Sequence, residues 1–192
     1  MEALPAGPAP APRNQIVAGA TIASVAIFML TGGMLGVWAL ERREAIDAGG
    51  SWLPSGVVIP EVPSNVMLIA FLGILSFAHW AQWSANRDDR PHTIFALAAT
   101  AFVGVLVLNA QFYIYSQMDL GVADGRYGSM FYAVTGAFCT LMIVGVVFTL
   151  VALFRYLGGR TNEREILAAH TVIWYALGLV YSAIWFVVYV TK

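Results

Sequence analysis

Five long stretches of this chain contain no Asp, Glu, Lys or Arg: Ile16 to Leu40, Asn65 to Trp83, Thr93 to Tyr115, Ser129 to Phe154 and Ala168 to Val190. Every charged residue lies outside them. An α-helix needs roughly 20 residues to cross a hydrocarbon layer about 30 Å thick, and each run is near or above that length. Lipid offers the backbone no hydrogen-bond partners, so only helices and closed barrels can span it. A barrel would read as alternating segments of about ten residues, not as continuous apolar runs. The pattern therefore predicts an all-α fold, an integral membrane bundle of five transmembrane helices at about 16–40, 65–83, 93–115, 129–154 and 168–190.

The segments between the runs are short. Residues 1–15, with four Pro and an early Glu before a single Arg, lack the basic start of a secretory signal and read as a disordered, uncleaved tail. Residues 16–192 read as one domain, because no linker is long enough to separate folding units. Gly49, Gly50, Pro54, Gly56, Pro60 and Pro63 mark Glu41 to Ser64 as a loop. Gly32 and Gly36 in the first run, and Ala133, Gly136 and Ala137 in the fourth, have the spacing that lets membrane helices approach closely. Trp38, Trp80, Trp83, Tyr113 and Tyr115 lie near run ends, where amphipathic rings anchor at the interface.

Composition agrees with the pattern. The 192 residues are 59% hydrophobic and 11% charged, against roughly 45–50% and about 25% in soluble domains. A net charge of −1 provides no field for nucleic acid, which drops out as a partner. Positive residues also set orientation. Arg13, Arg87, Arg90, Arg155, Arg160 and Arg164 fall on one side, and Arg42, Arg43, Arg126 and Lys192 on the other, which favours a cytoplasmic N-terminus and an external C-terminus.

Chemistry within the runs is sparse. Intramembrane charged residues mark ion and proton paths, and these runs hold no Asp, Glu, Lys or Arg. Lone Cys139 reads as a small apolar packing group. His79, His92 and His170 fall near the same end of the second, third and fifth runs, so a small b-type cytochrome or metal site using His79 and His170 is one reading. Against it, no spaced His/Cys/Glu pattern fixes a coordination geometry, and interfacial histidines commonly serve as hydrogen-bonding groups. No GxSxG or HExxH is present. The chain offers no catalytic residues, no metal ligands and no cofactor site of its own.

Several motifs carry a family likeness. His79, Trp80, Ala81 and Ser84, followed by Asp89 and Arg90, resemble the Trp-Ala-His-His-Ser helix end and Asp-Arg turn of subunit III of the heme-copper cytochrome c oxidases, in its short five-helix bacterial form. Gln111, Tyr113 and Tyr115 resemble that family's Gln-x-Tyr-Glu-Tyr segment. Tyr127, Gly128, Phe131 and Gly136 resemble its Tyr-Gly-Ser-x-Phe-Tyr…Thr-Gly opening. Trp52 falls in a similar Trp-Pro loop, and Trp174 matches part of the last-helix pattern. There are departures: Ile27 and Ile114 stand where the family has acids, Phe138 and Met142 where it has histidines, and Tyr175 and Gly178 where it has His and Asp.

The resemblance implies a noncatalytic subunit in aerobic respiratory electron transport, in a bacterial cytoplasmic membrane. Such a subunit packs against oxidase subunit I and other oxidase subunits, holds phospholipids, and leaves the hemes and copper to its partners. The alternative within the resemblance is the related subunit of a nitric oxide reductase. The motif residues are implied as packing or lipid-contact positions.

Overall fold

The computed structural model describes residues 14–161 and 164–191. Five long helices follow one another: α1 (Gln15–Asp47), α2 (Glu61–Asn86), α3 (Arg90–Gln117), α4 (Gly125–Leu157) and α5 (Arg164–Ile184), the last continued by a π-helical turn, Trp185–Val190. All five are long and apolar enough to cross a membrane, and no strand is present among the described residues. Of the expected tail, residues 1–13 lie outside the described residues; Gln15 belongs to α1.

Each helix, α5 taken together with its π-helical turn, is longer than its apolar run. The expected loop, Glu41 to Ser64, shrinks to residues 48–60, because Glu41–Asp47 continue α1 and Glu61–Ser64 begin α2. Polar residues lengthen a helix beyond the membrane as readily as they end it, and here they pair: Arg43 with Asp47 at 3.5 Å, and Arg126 with Glu41 at 3.0 Å. The stop comes at Gly49 (φ +75°), whose left-handed backbone turns the following N–H, that of Gly50, back to the Ala45 carbonyl, 3.0 Å away. Pro63 sits in the first turn of α2, where its missing N–H costs nothing.

The core lies among α2, α3, α4 and α5. Phe71 of α2 stacks on Tyr181 of α5 with centroids 4.9 Å apart, and Phe138 of α4 closes the group at 5.2 Å from Tyr181. Close helix approach occurs at glycines other than those expected. A Cβ on Gly104 would lie 2.8 Å from Val146, on Gly145 2.9 Å from Leu177, and on Gly178 3.2 Å from Leu75. Around Gly32, Gly36 and Gly136, nothing comes within 4 Å of the point where a Cβ would sit. Among the described residues, these three glycines of the small-residue spacing thus make no close approach.

α1 is the least buried span, 11% of its apolar window against 50% for α5. It is held at both ends. Glu165 of α5 accepts from the Ile16 N–H at 2.5 Å, and Arg42 donates to the Thr191 carbonyl at 2.8 Å.

Candidate functional site

No single pocket gathers the motif residues; they form three groups along the bundle. The first is at the end that carries the 48–60 loop. Trp38 is fully buried, so it is not the interfacial anchor its position implies. It packs edge-on against Trp52 at 5.2 Å and Tyr127 at 5.3 Å, and Trp52 lies 5.4 Å from Tyr127. Edge-to-face rings are attracted by their quadrupoles, which gives the loop a defined seat on α1 and α4. Phe131, fully buried, extends the group by stacking on Tyr127 at 6.1 Å. Gly128 is needed here, since a Cβ would fall 2.5 Å from the Gly121 carbonyl oxygen.

Beside this group, Tyr189 donates to Gln111 Oε1 at 2.9 Å. Tyr189 belongs to the π-helical turn, whose wider winding changes where its side chains point. Tyr115 donates to Thr135 at 2.8 Å and is half-buried, while Tyr113 is exposed, as an interfacial ring would be. Gly136 is half-buried and makes no close approach.

The second group is in mid-bundle. The fully buried Trp174 lies against Gly104 and Gly145, and its Nε1 donates to Thr149 Oγ1 at 2.9 Å and His170 Nε2 at 3.0 Å. Thr149 and His170 are themselves 2.9 Å apart. This triad joins α4 to α5, and only the i, i+4 spacing of His170 and Trp174 hints at it in the sequence. His79, by contrast, is exposed on α2. The structure does not bring His79 and His170 to a common site, and no cluster of three or more His, Cys, Asp or Glu residues able to hold a metal occurs among the described residues.

The third group is at the opposite end, where two turns meet. Arg90 donates to the Tyr156 and Leu157 carbonyls at 3.2 and 2.8 Å, joining the start of α3 to the end of α4. Arg164 pairs with Asp88 at 2.6 Å. Asp89 caps α3 and bonds the His92 ring at 2.7 Å; that bond, then the one from the His92 N–H, holds its carboxyl below the usual carboxylate range. Trp80 is half-buried, 5.8 Å from the His92 ring. Ala81 and Ser84 are fully buried on the inner face of α2.

The departures from the family pattern are packing positions. Ile114, Phe138 and Met142 are buried in the main core, and Ile27 packs partly buried against it. Gly178 faces Leu75, and Tyr175 is exposed. What the arrangement can do chemically is hold helices and loops in place.

Comparison with known proteins gives the same family. The "Cytochrome c oxidase subunit III" family matches residues 22–192. Among curated relatives, cytochrome c oxidase subunit 3 of Drosophila yakuba is 27% identical over 153 residues, covering 77% of this chain and 56% of the relative. The Bos taurus protein of that name is 29% identical over 135 residues, 67% of this chain and 50% of the relative. That of Strongylocentrotus purpuratus is 28% identical over 151 residues, covering 76% and 56%. The chain spans about half the length of the curated relatives it matches. With five membrane-crossing helices and a family match running from within α1 through α5, the chain belongs to the cytochrome c oxidase subunit III family.

Proposed function

We propose that this chain is a noncatalytic subunit III of a heme-copper terminal oxidase in a bacterial cytoplasmic membrane. It packs against subunit I, retains phospholipid and sustains turnover, while hemes and copper reside in the partner subunits. The observation that carries the reading is the family match over residues 22–192. The buried polar groups support it, since Thr149 bonds His170 and Tyr189 bonds Gln111, each pair tying two helical segments together. The N-terminus faces the cytoplasm by charge asymmetry.

In this reading the chain acts on the oxidase only through shape, lipid and water access. Ile27 and Ile114 carry no proton, so proton uptake is not relayed through those positions. The test is affinity purification in mild detergent with the partners identified, followed by oxygen consumption over many turnovers with and without the chain. The expected result is co-purification of a catalytic oxidase subunit, unchanged heme spectra on deletion, and activity that decays faster without the chain. Loss of a heme band while the partner protein stays folded overturns it.

A further inference from the structure

Three buried polar side chains meet where the 48–60 loop sits on α1 and α4. Trp38, Trp52 and Tyr127 are 0%, 6% and 3% exposed, and their rings form a closed triangle with centroids 5.2 to 5.4 Å apart. Neither indole Nε1 nor the Tyr127 hydroxyl has a hydrogen-bond partner among the described residues. The other buried side-chain atoms in that condition, on Ser84, Gln111 and His170, sit singly on α2, α3 and α5. A buried donor left unsatisfied costs its full desolvation, and native structures pair nearly all such groups with protein or with ordered water. Three in one ring cluster point to a shared partner.

The chemistry of the three atoms defines that partner. An indole N–H only donates, so two of the three require an acceptor, while a phenol hydroxyl takes either role. An anion would suit the donors but not the surroundings. The part of α1 beyond Trp38 carries three carboxylates, Glu41, Glu44 and Asp47, against Arg42 and Arg43. Arg43 pairs with Asp47, Arg42 donates to the Thr191 carbonyl, and Arg126, beside Tyr127, is shared by Glu41 and Glu44. A charge buried without a counterion costs far more than a neutral polar group. Water fits both demands. Its two lone pairs accept from two indoles and one of its O–H groups reaches the phenol oxygen, which makes about three hydrogen bonds, the usual number for a buried water.

We infer that one water molecule is held inside this ring cluster, accepting from Trp38 Nε1 and Trp52 Nε1 and donating to the Tyr127 hydroxyl, as a tie among α1, the loop and α4. The inference is independent of the oxidase reading, because it uses only the packing of this chain.

The sign of a conservative substitution tests it. Tyr127→Phe keeps the ring and removes the hydroxyl. With a water bonded to that hydroxyl, the substitution loosens the loop, and amide hydrogen exchange across residues 48–60 of the purified full chain in detergent speeds up about fivefold, the size of one net hydrogen bond. With an idle hydroxyl, the same change relieves a buried polar group, so exchange slows or stays the same, which overturns the site. A second measurement reads the water itself, by magnetisation transfer from solvent to isotope-labelled indoles, assigned through Trp38→Phe and Trp52→Phe. In the wild type, and in Tyr127→Phe where no hydroxyl relays the signal, the N–H protons of Trp38 and Trp52 receive dipolar transfer from water. Absence of that transfer means that the donors rest on ring faces, and it overturns the site. Loop protection that is present in chloride and lost in gluconate at equal ionic strength overturns water in favour of an anion.

Discussion

Replacing Trp174 tests whether the bundle is built around the wedge between α3, α4 and α5. Its ring contacts the positions where Gly104 and Gly145 lack a Cβ, at 3.2 and 3.5 Å, and its single N–H serves two acceptors. Trp→Ala changes in aqueous cores cost about 3–5 kcal/mol. In lipid the transfer part of that cost is largely absent, since the tails are as apolar as the interior. The lost dispersion contacts and the lost bond remain, which points to about 3 kcal/mol. Trp174→Phe keeps much of the ring and loses the one shared donor, for about 1 kcal/mol. Gly104→Ala overpacks, with its Cβ 2.8 Å from Val146 Cγ2 and 3.2 Å from the Trp174 ring, for about 1–3 kcal/mol. Combined with Trp174→Ala it costs less than the sum, by roughly 1 kcal/mol, because one of its two clashes has gone. The assay is unfolding in mixed micelles with increasing dodecyl sulfate, followed by circular dichroism. A Trp174→Ala cost below about 1 kcal/mol, or strict additivity with Gly104→Ala, refutes the wedge.

Three further outcomes are expected. Glu165→Ala strips the acceptor from the first N–H groups of α1, costs about 1 kcal/mol by analogy with a lost cap, and raises amide exchange at Ile16 and Val17; unchanged exchange there means that the contact is not made. The Asp89 carboxyl has a depressed pKa in the folded state, so its contribution is present above the ordinary value of about 3.9 and is lost as pH falls through the depressed one. Asp89→Asn, which caps without titrating, therefore flattens the acid side of the stability curve, and superimposable curves below about pH 4 contradict this. Cysteine placed at exposed Ser51 reacts with an impermeant reagent on intact cells and cysteine at exposed Asn86 does not, whereas the reverse pattern inverts the orientation.

The five spans are legible in the sequence because hydrocarbon thickness imposes a length on any uncharged run, and nothing soluble imitates it. Helix ends are less so: Glu41–Asp47 carry helix-compatible charges that read as an exit from the membrane but not as the end of a helix. Small-residue spacing picks out glycines on α1 that face outward, while Gly104, Gly145 and Gly178, none of which has another glycine four residues away, make the close approaches. Spacing reports which residues share a face, not which face meets a neighbour. Trp38 is misplaced by its sequence position for a related reason, since its burial depends on Trp52 and Tyr127, the second of them far along the chain. The tie among His170, Thr149 and Trp174 depends on the relative register of two helices, which no single-helix pattern contains.

The pins on α1 bear on how the chain is made. Its two end contacts reach Glu165 and Thr191, 149 residues away in each case. Synthesis delivers α1 before the other four helices, so it enters the bilayer long before either partner exists. The Trp52 ring against Trp38 is the nearby contact that bears on its rotation in the interval. Its glycine-bearing surface is then open to other membrane segments, and residues translated much later decide whether it docks. Loss of Thr191 and the turn before it therefore harms the first helix, not only the last, and quality control acting on this protein has to wait until the turn after α5 has been made.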